Sequence, residues 1–245
     1  MRKSLSYAVS GLFLMFGAAT GNVYAAGNDI VIDPSMIQSE FDTLIDEMGT
    51  AIAYNPISPA EPLGTLGFEI GMAVTSVKID KSVWNLAVSD GSAPSSLPVP
   101  RLLARKGLPF GFDIGLSRIG VPGSNIAVNG FEVRKAILEG STVTPAVSVL
   151  VHGSKLTGVS DIDLSTYGID AGISKGFAML TPYAGVGQVW IKGSDNTGFG
   201  FSDRKTNVTR TYAGIKVGFL PFMNLVAQVD FADVNSYSLR LNVGF

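Results

Sequence analysis

The stretch that decides the fold is the last ten residues, Ser236-Tyr-Ser-Leu-Arg-Leu-Asn-Val-Gly-Phe245. Apolar residues alternate with polar or small residues along its whole length. The apolar set is Tyr237, Leu239, Leu241, Val243 and Phe245. This period of two predicts a β-strand with one apolar face and one polar face. An uncovered apolar strand is an aggregation hazard in water, whereas the same strand suits a lipid bilayer.

The same alternation recurs upstream and predicts an antiparallel meander of ten strands. The predicted strands are residues 65–78, 97–105, 109–118, 126–138, 143–153, 162–174, 179–192, 208–219, 222–232 and 236–245. Short turns alternate with longer connections, of which 79–96 and 193–206 are the longest. A barrel of twelve strands, with an extra strand near 48–55, is the alternative.

Composition narrows the class of protein. The chain is 46% hydrophobic and 16% charged, and its apolar residues past Gly27 are interleaved with polar ones. In lipid every backbone polar group must be satisfied internally, so only helices and closed barrels span a membrane. The chain has no cysteine, which excludes thiolate catalysis and cysteine-ligated metal. Its net charge of −2 argues against a nucleic-acid partner.

The first residues predict export from the cytoplasm. Met1-Arg-Lys is a basic start, residues 7–19 are apolar or small, and Tyr24-Ala25-Ala26 supplies small residues near a cleavage site. This layout predicts a signal peptide over residues 1–25. The apolar run is shorter than the roughly 20 residues that a membrane-spanning helix needs.

Residues 26–63 differ from the rest of the chain. Pro34 precedes apolar residues at spacings of three and four, which predict an amphipathic helix over 36–52. Residues 55–64 contain three prolines and therefore cannot be a ladder strand. We expect a helix and a rigid connector that lead into a barrel formed by residues 64–245. Two positions for the helix stay open, as a plug in the lumen or on the periplasmic rim.

The alternating strand that ends in Phe245, with the signal sequence, resembles the closing strand of bacterial outer-membrane β-barrels. The resemblance covers roughly residues 64–245 and implies an all-β, transmembrane antiparallel up-and-down barrel in the outer membrane of a Gram-negative cell. It implies outer-membrane lipid and lipopolysaccharide as surroundings. It also implies that the assembly machinery recognises Tyr237, Leu239, Leu241, Val243 and Phe245. In such barrels the short turns face the periplasm and the longer loops face outward.

The predicted inward face carries acids and bases together. Its members are Glu69, Asp113, Glu132, Arg134, Asp170, Gln188, Arg210, Lys216, Gln228, Asp230 and Arg240. Mixed charges predict a salt-bridged lumen, and a polar pore or ligand pocket is the functional alternative. A ten-stranded barrel is narrow. We expect a structural barrel or porin-like transport of a small solute or hydrophobic ligand, through a largely plugged lumen. A non-conducting adhesion or scaffold barrel acting through 79–96 and 193–206 is an alternative.

One pair of residues suggests catalysis. His152 and Ser154 are two apart in a predicted strand, so both side chains point the same way. The pair resembles the His-x-Ser pair of outer-membrane phospholipase A and of lipid A deacylases. Those families tend to carry an asparagine after the serine, where this chain has Lys155. A lipid hydrolase is therefore an alternative function. No cofactor and no metal site are predicted.

Overall fold

The barrel is formed by antiparallel strands that close on themselves. The computed structural model describes residues 30–87, 93–120 and 125–245, so the predicted signal peptide at 1–25 lies outside the described residues. Within these ranges the closed sheet has ten strands. They are β1 Phe68–Lys78, β2 Ser96–Leu108, β3 Phe112–Gly120, β4 Ala127–Glu139, β5 Ala146–Thr157, β6 Ile162–Ser174, β7 Leu180–Asp195, β8 Arg204–Leu220, β9 Met223–Phe231 and β10 Ser236–Gly244.

The C-terminal strand closes the barrel. Leu241 of β10 lies opposite Met72 of β1 on one side and Leu225 of β9 on the other. The predicted antiparallel barrel of ten strands is confirmed. The alternative of twelve is wrong because residues 48–52 are helical and the first barrel strand begins only at Phe68.

Strand β2 is longer and more regular than its two prolines suggested. Pro98 and Pro100 pair with β1, opposite Ser76 and Val74. Pairing of β2 with β3 begins only at Leu102. The prolines therefore lie where β2 extends beyond its second neighbour, a position in which a missing N–H breaks no ladder. Strand β2 continues to Leu108, past its predicted end at residue 105, and a short 3₁₀ helix, Pro109–Gly111, makes the turn to β3.

The outer surface of the barrel is apolar. Leu116 is 67% exposed, and apolar side chains on the other strands are exposed in the same way. They include Ile70, Val74, Phe131, Val133, Val151, Tyr167, Ile169, Val186, Tyr237 and Leu239. Such a band is costly in water and favourable against hydrocarbon. Phe68 and Phe245 meet edge to face at the end of the barrel that carries the short turns, with ring centroids 4.6 Å apart.

The two ends of the barrel differ. The turn end carries the short connections and Phe245, and the loop end carries residues 79–87, 93–95 and 196–203. A helix, α1 (Gln38–Ile52), lies inside the loop end, and a one-turn helix, α2 (Lys81–Trp84), lies in the first loop. Phe41, Leu44, Ile45 and Met48 of α1 are buried in one cluster with inward side chains of the wall. No helix among the described residues is long and apolar enough to cross a membrane.

Two glycines allow α1 to approach the wall closely. A Cβ on Gly49 of the helix would lie 2.3 Å from Cγ2 of Ile191 on β7. A Cβ on Gly193, also on β7, would lie 2.5 Å from Cγ2 of Ile45. Both distances are impossible for carbon atoms, so a side chain at either position would push the helix away from β7.

From α1 the chain continues through the lumen towards the turn end. The carbonyl of Tyr54 accepts a hydrogen bond from Arg210 at 3.0 Å, and the amide of Leu63 donates to Asp113 at 3.1 Å. Just before β1, the amide of Gly67 donates a hydrogen bond to the carbonyl of Gly64. Helix α1 and the connector, residues 53–64, are called the N-terminal segment below. This segment passes along the interior from the loop end to the turn end.

We predict that the start of α1 is accessible from outside the cell, because short turns face the periplasm in bacterial barrels. The chain has no native cysteine, so single cysteines report position cleanly. Ser39→Cys and Ser160→Cys, both exposed at the loop end, should react with a membrane-impermeant maleimide on intact cells. Thr142→Cys, exposed at the turn end, should react only after cell lysis. Labelling of Ser39→Cys that follows Thr142→Cys rather than Ser160→Cys would contradict this orientation.

Candidate functional site in the lumen

The lumen has two chemically different halves. Near the loop end the inward side chains are apolar and pack on α1. They include Val77, Val99, Ile119, Val128, Leu156, Ile162, Leu164, Val189, Ile191 and Val208. Near the turn end the inward side chains are charged and surround the connector. The contents of the barrel thus determine the polarity of the wall beside them.

Strand β7 shows why the predicted facing of one lumen residue was wrong. Gln188 was predicted in the lumen, but it lies on the outer face, where it bonds to Asn207 and Thr209. Its neighbour Val189 points inward because the lumen there is filled by an apolar helix. Tyr183 of the same strand also points inward and donates to Oε1 of Gln228 at 2.7 Å.

Most of the predicted lumen residues form buried ion pairs. Arg210 binds Asp170 through two nitrogens, at 3.1 and 2.7 Å. Arg240 of β10 pairs with Glu69 of β1. Lys216 lies 3.5 Å from Glu61 of the connector, nearer to solvent. Asp230 accepts hydrogen bonds from Gln228 and from Asn55.

Arg105 is the centre of a second cluster. Its nitrogens lie 2.9 Å from Asp113 and 2.8 Å from Glu132. Arg134 extends the cluster, at 3.8 Å from Glu132. Sequence reasoning missed Arg105 and Arg101, although both share the parity of inward positions on β2. Alternation along β2 was the signal that could have found these two arginines, and Pro98 and Pro100 obscured it.

Four wall arginines bind carbonyl oxygens of the connector. Arg101 donates to Ala53 at 2.9 Å, Arg210 to Tyr54 at 3.0 Å, Arg240 to Pro56 at 2.7 Å, and Arg134 to Pro59. The connector has no regular secondary structure, so its carbonyls need partners from elsewhere. Prolines at 56, 59 and 62 remove N–H groups that would also need partners. A segment that mainly offers acceptors therefore matches a wall that mainly offers donors.

The candidate catalytic pair lies inside this filled lumen. His152 and Ser154 both point inward and are buried. Nε2 of His152 lies 3.0 Å from Asp170, and the ring of Tyr54 is 5.9 Å away. Among the described residues Oγ of Ser154 has no hydrogen-bond partner, so the histidine does not activate it in this structure.

The two longest loops fold over α1. In the first loop, Nε1 of Trp84 donates a hydrogen bond to Glu47 at 2.7 Å. Arg204 binds Asp46 at 2.6 Å, and Phe201 stacks on Phe41 with ring centroids 4.8 Å apart. These contacts form a cap over the helix at the loop end.

Among the described residues of the first loop, α2 forms a structured turn outside the barrel strands. Asp80 caps α2 by accepting hydrogen bonds from Oγ and N of Ser82, at 2.6 and 2.9 Å. These bonds hold the pKa of the Asp80 carboxyl below its ordinary value. In the described ranges no group of three or more histidine, cysteine or acidic residues is placed to hold a metal ion.

Comparison with known proteins finds likeness in architecture. No family model matches the chain, and no curated protein matches it. Neisserial surface protein A is 12% identical, with 73% of this chain and 94% of that chain covered and a TM-score of 0.33. The Yersinia pestis outer membrane protein Ail is 16% identical over 72% and 99%, with a TM-score of 0.34. The KdgM porin is 8% identical over 72% and 99%, with a TM-score of 0.37.

Similarity as low as this assigns no function to the chain. The class of this chain follows from its own closed strand topology and its outward apolar band.

Removal of one lumen arginine should destabilise the barrel strongly. Arg240→Met removes the donor of the Pro56 carbonyl and leaves the Glu69 carboxylate with only the more distant Arg105, at 3.8 Å, and breaking a buried pair costs about 3–5 kcal/mol. Arg118→Met is the matched control, because Arg118 is exposed on the outer face and bonds only to Asn129 among the described residues. Urea unfolding of refolded protein measures both free energies. Equal losses in the two variants would show that the lumen pairs do not hold the barrel.

Proposed function

We propose that this β-barrel of the bacterial outer membrane is a structural barrel closed by its own N-terminal segment, with no open path for bulk solutes. The observation that carries the proposal is the row of wall arginines bound to consecutive parts of the connector. The contacts run from Ala53 near α1 to Pro59 deep in the lumen. A segment held at so many points along its length supports a permanent plug rather than a mobile gate.

The energetics of the lumen favour the closed state. If the connector left the lumen, four buried guanidinium groups would lose carbonyl acceptors. A buried polar group without a partner costs about 1–3 kcal/mol, and more where it is charged. Water entering the emptied lumen would repay part of this cost. Withdrawal would also expose the buried apolar face of α1, which no water can compensate.

The loop end supports the same conclusion. The cap places residues of both long loops on α1 through an ion pair, a stacked pair of rings and an indole hydrogen bond. The helix is therefore held by the wall on its sides and by the loops above. These loops remain the part of the barrel that faces outward, so an adhesion or scaffold role through 79–96 and 193–206 is compatible with a closed lumen.

The geometry does not favour the lipid hydrolase. A hydrolase that acts on membrane lipid needs its nucleophile where the lipid can reach it. His152 and Ser154 face the interior, where the ring of Tyr54 lies beside His152. Nε2 of the histidine already contacts the Asp170 carboxylate. We infer that His152 belongs to the ion-pair network that holds Arg210.

We expect the intact protein to show no steady conductance in planar bilayers. Gly193→Leu should produce intermittent openings, because its side chain would collide with Ile45 and displace α1. Gly120→Leu is the matched control, since a Cβ at this position meets nothing within 4 Å. A large steady conductance of the intact protein would refute the plug. Identical traces for the two variants would show that α1 does not seal the loop end.

We also expect Ser154→Ala to match the intact protein in lipid hydrolysis and in thermal unfolding. Refolded intact protein and the variant should both fail to release fatty acid from phospholipid or from lipid A. Thermal unfolding of the two should differ little, because Oγ of Ser154 has no partner among the described residues. Fatty-acid release by the intact protein that the substitution abolishes would restore the hydrolase.

A further inference from the structure

The outer face of the wall carries a cluster of lysines near the loop end. Lys192 of β7 lies directly opposite Lys205 of β8. On the other side of β7, Ser165 of β6 lies opposite Lys192, and Lys155 of β5 lies opposite Ser165. All three lysines are exposed. Neighbouring positions in such a row are about 5 Å apart, so the three ammonium groups are close enough to contact one ligand.

Lys192 and Lys205 have no counter-charge on the wall. Like charges that face each other directly across two strands are destabilising. Asp203 is exposed in the adjoining loop, but none of the described carboxylates lies within 4 Å of either lysine. Lys155 differs, because Asp163 lies 3.5 Å from its Nζ. An anion bound between Lys192 and Lys205 would relieve their repulsion.

The lysine pair lies at the depth of lipid headgroups. Trp190 and Tyr167 stack with ring centroids 5.2 Å apart, two residues nearer the turn end than Lys192 and Ser165. Such rings favour the boundary between membrane and water. About ten residues of β7 separate Leu180 at the turn end from Trp190, which is the length that a tilted strand needs to cross the hydrocarbon. Lys192 therefore lies about 7 Å along the strand beyond this boundary.

Next to the lysine pair, towards the turn end, the outer face is polar where lipid-facing residues are usually apolar. Gln188 of β7 bonds to Asn207 and Thr209 of β8, at 3.1 and 2.8 Å. Amide and hydroxyl groups are costly against hydrocarbon alone. A sugar headgroup supplies hydrogen-bond partners for them, and the ring of Trp190 supplies a flat face for the sugar. A phospholipid would bring a phosphate to the lysines but no sugar to this patch.

We propose that this face of β6–β8 binds a phosphorylated glycolipid of the outer leaflet, with a phosphate between Lys192 and Lys205 and the sugar against Trp190 and Asn207. Lys155 adds positive charge beside the phosphate. This chemistry is that of lipid A, whose acyl chains would follow the apolar band towards the turn end. The proposal rests on the outward orientation of the loop end, which the cysteine labelling tests separately. It does not depend on whether the lumen conducts.

The test is binding of purified lipid A to the full protein refolded in detergent, measured by native mass spectrometry over a range of lipid concentrations. We expect the intact protein to bind lipid A at least tenfold more tightly than dephosphorylated lipid A. Lys192→Gln combined with Lys205→Gln should weaken lipid A binding at least tenfold, since each basic residue at a charged lipid surface contributes about fivefold.

The matched control combines Lys78→Gln with Lys81→Gln. It removes the same charge from exposed positions at the loop end, on β1 and in the first loop, and should bind lipid A as the intact protein does. Both double variants change only exposed side chains, so both should keep the shift in gel mobility on heating that marks a folded barrel. This readout separates lost binding from lost folding.

Three outcomes would overturn the proposal. Equal weakening in the two double variants would show a general effect of charge rather than a site at Lys192 and Lys205. Equal affinity of the intact protein for lipid A and for its dephosphorylated form would exclude the phosphate. Inositol hexakisphosphate, a soluble polyanion, should bind more weakly than lipid A, and binding as tight as that of lipid A would exclude a lipid as the preferred ligand.

Discussion

The hydrogen bonds from wall arginines to the carbonyls of the connector are the constraint on which the rest of the interior depends. A barrel this narrow has too little space for both a solvated lumen and a traversing chain, so the chain must replace water as the acceptor for the wall donors. Irregular backbone is tolerated at membrane depth only where protein surrounds it. The arginines surround the connector, and the acidic residues neutralise the charge of the arginines.

The apolar half of the lumen follows from the same constraint. A helix satisfies its own backbone internally, so α1 needs no donors from the wall and presents side chains instead. The wall beside it therefore carries valine and isoleucine, and Gly49 and Gly193 bring the surfaces into contact. Where the helix ends at Ile52, carbonyls become available, and the wall changes to arginine at the next inward positions. The secondary structure of the segment in the lumen thus determines which side chains the wall presents to it.

Alternation alone predicted the number, order and approximate limits of the strands, because lipid on the outside demands apolar residues at every second position. Glu69, Asp113, Arg210 and Arg240, which alternation assigned to the lumen, are buried in the structure. Alternation failed on β7, where Val189 and Gln188 exchange their expected faces, since the rule assumes a polar interior. The path of the connector could not be predicted, because its acceptors lie on strands far away in sequence. The assembly role of the C-terminal strand stays a prediction.

Arg240 connects barrel closure to plugging. It lies on β10, pairs with Glu69 on β1, and donates to the carbonyl of Pro56 in the connector. The seam between the first and last strands therefore includes the connector as a third partner. Closing that seam around an empty lumen would bury the guanidinium with one of its two partners missing. Residues 53–64 lead into β1, so the connector lies beside the seam. The strand that completes the barrel is thus also the strand that fixes the segment inside it.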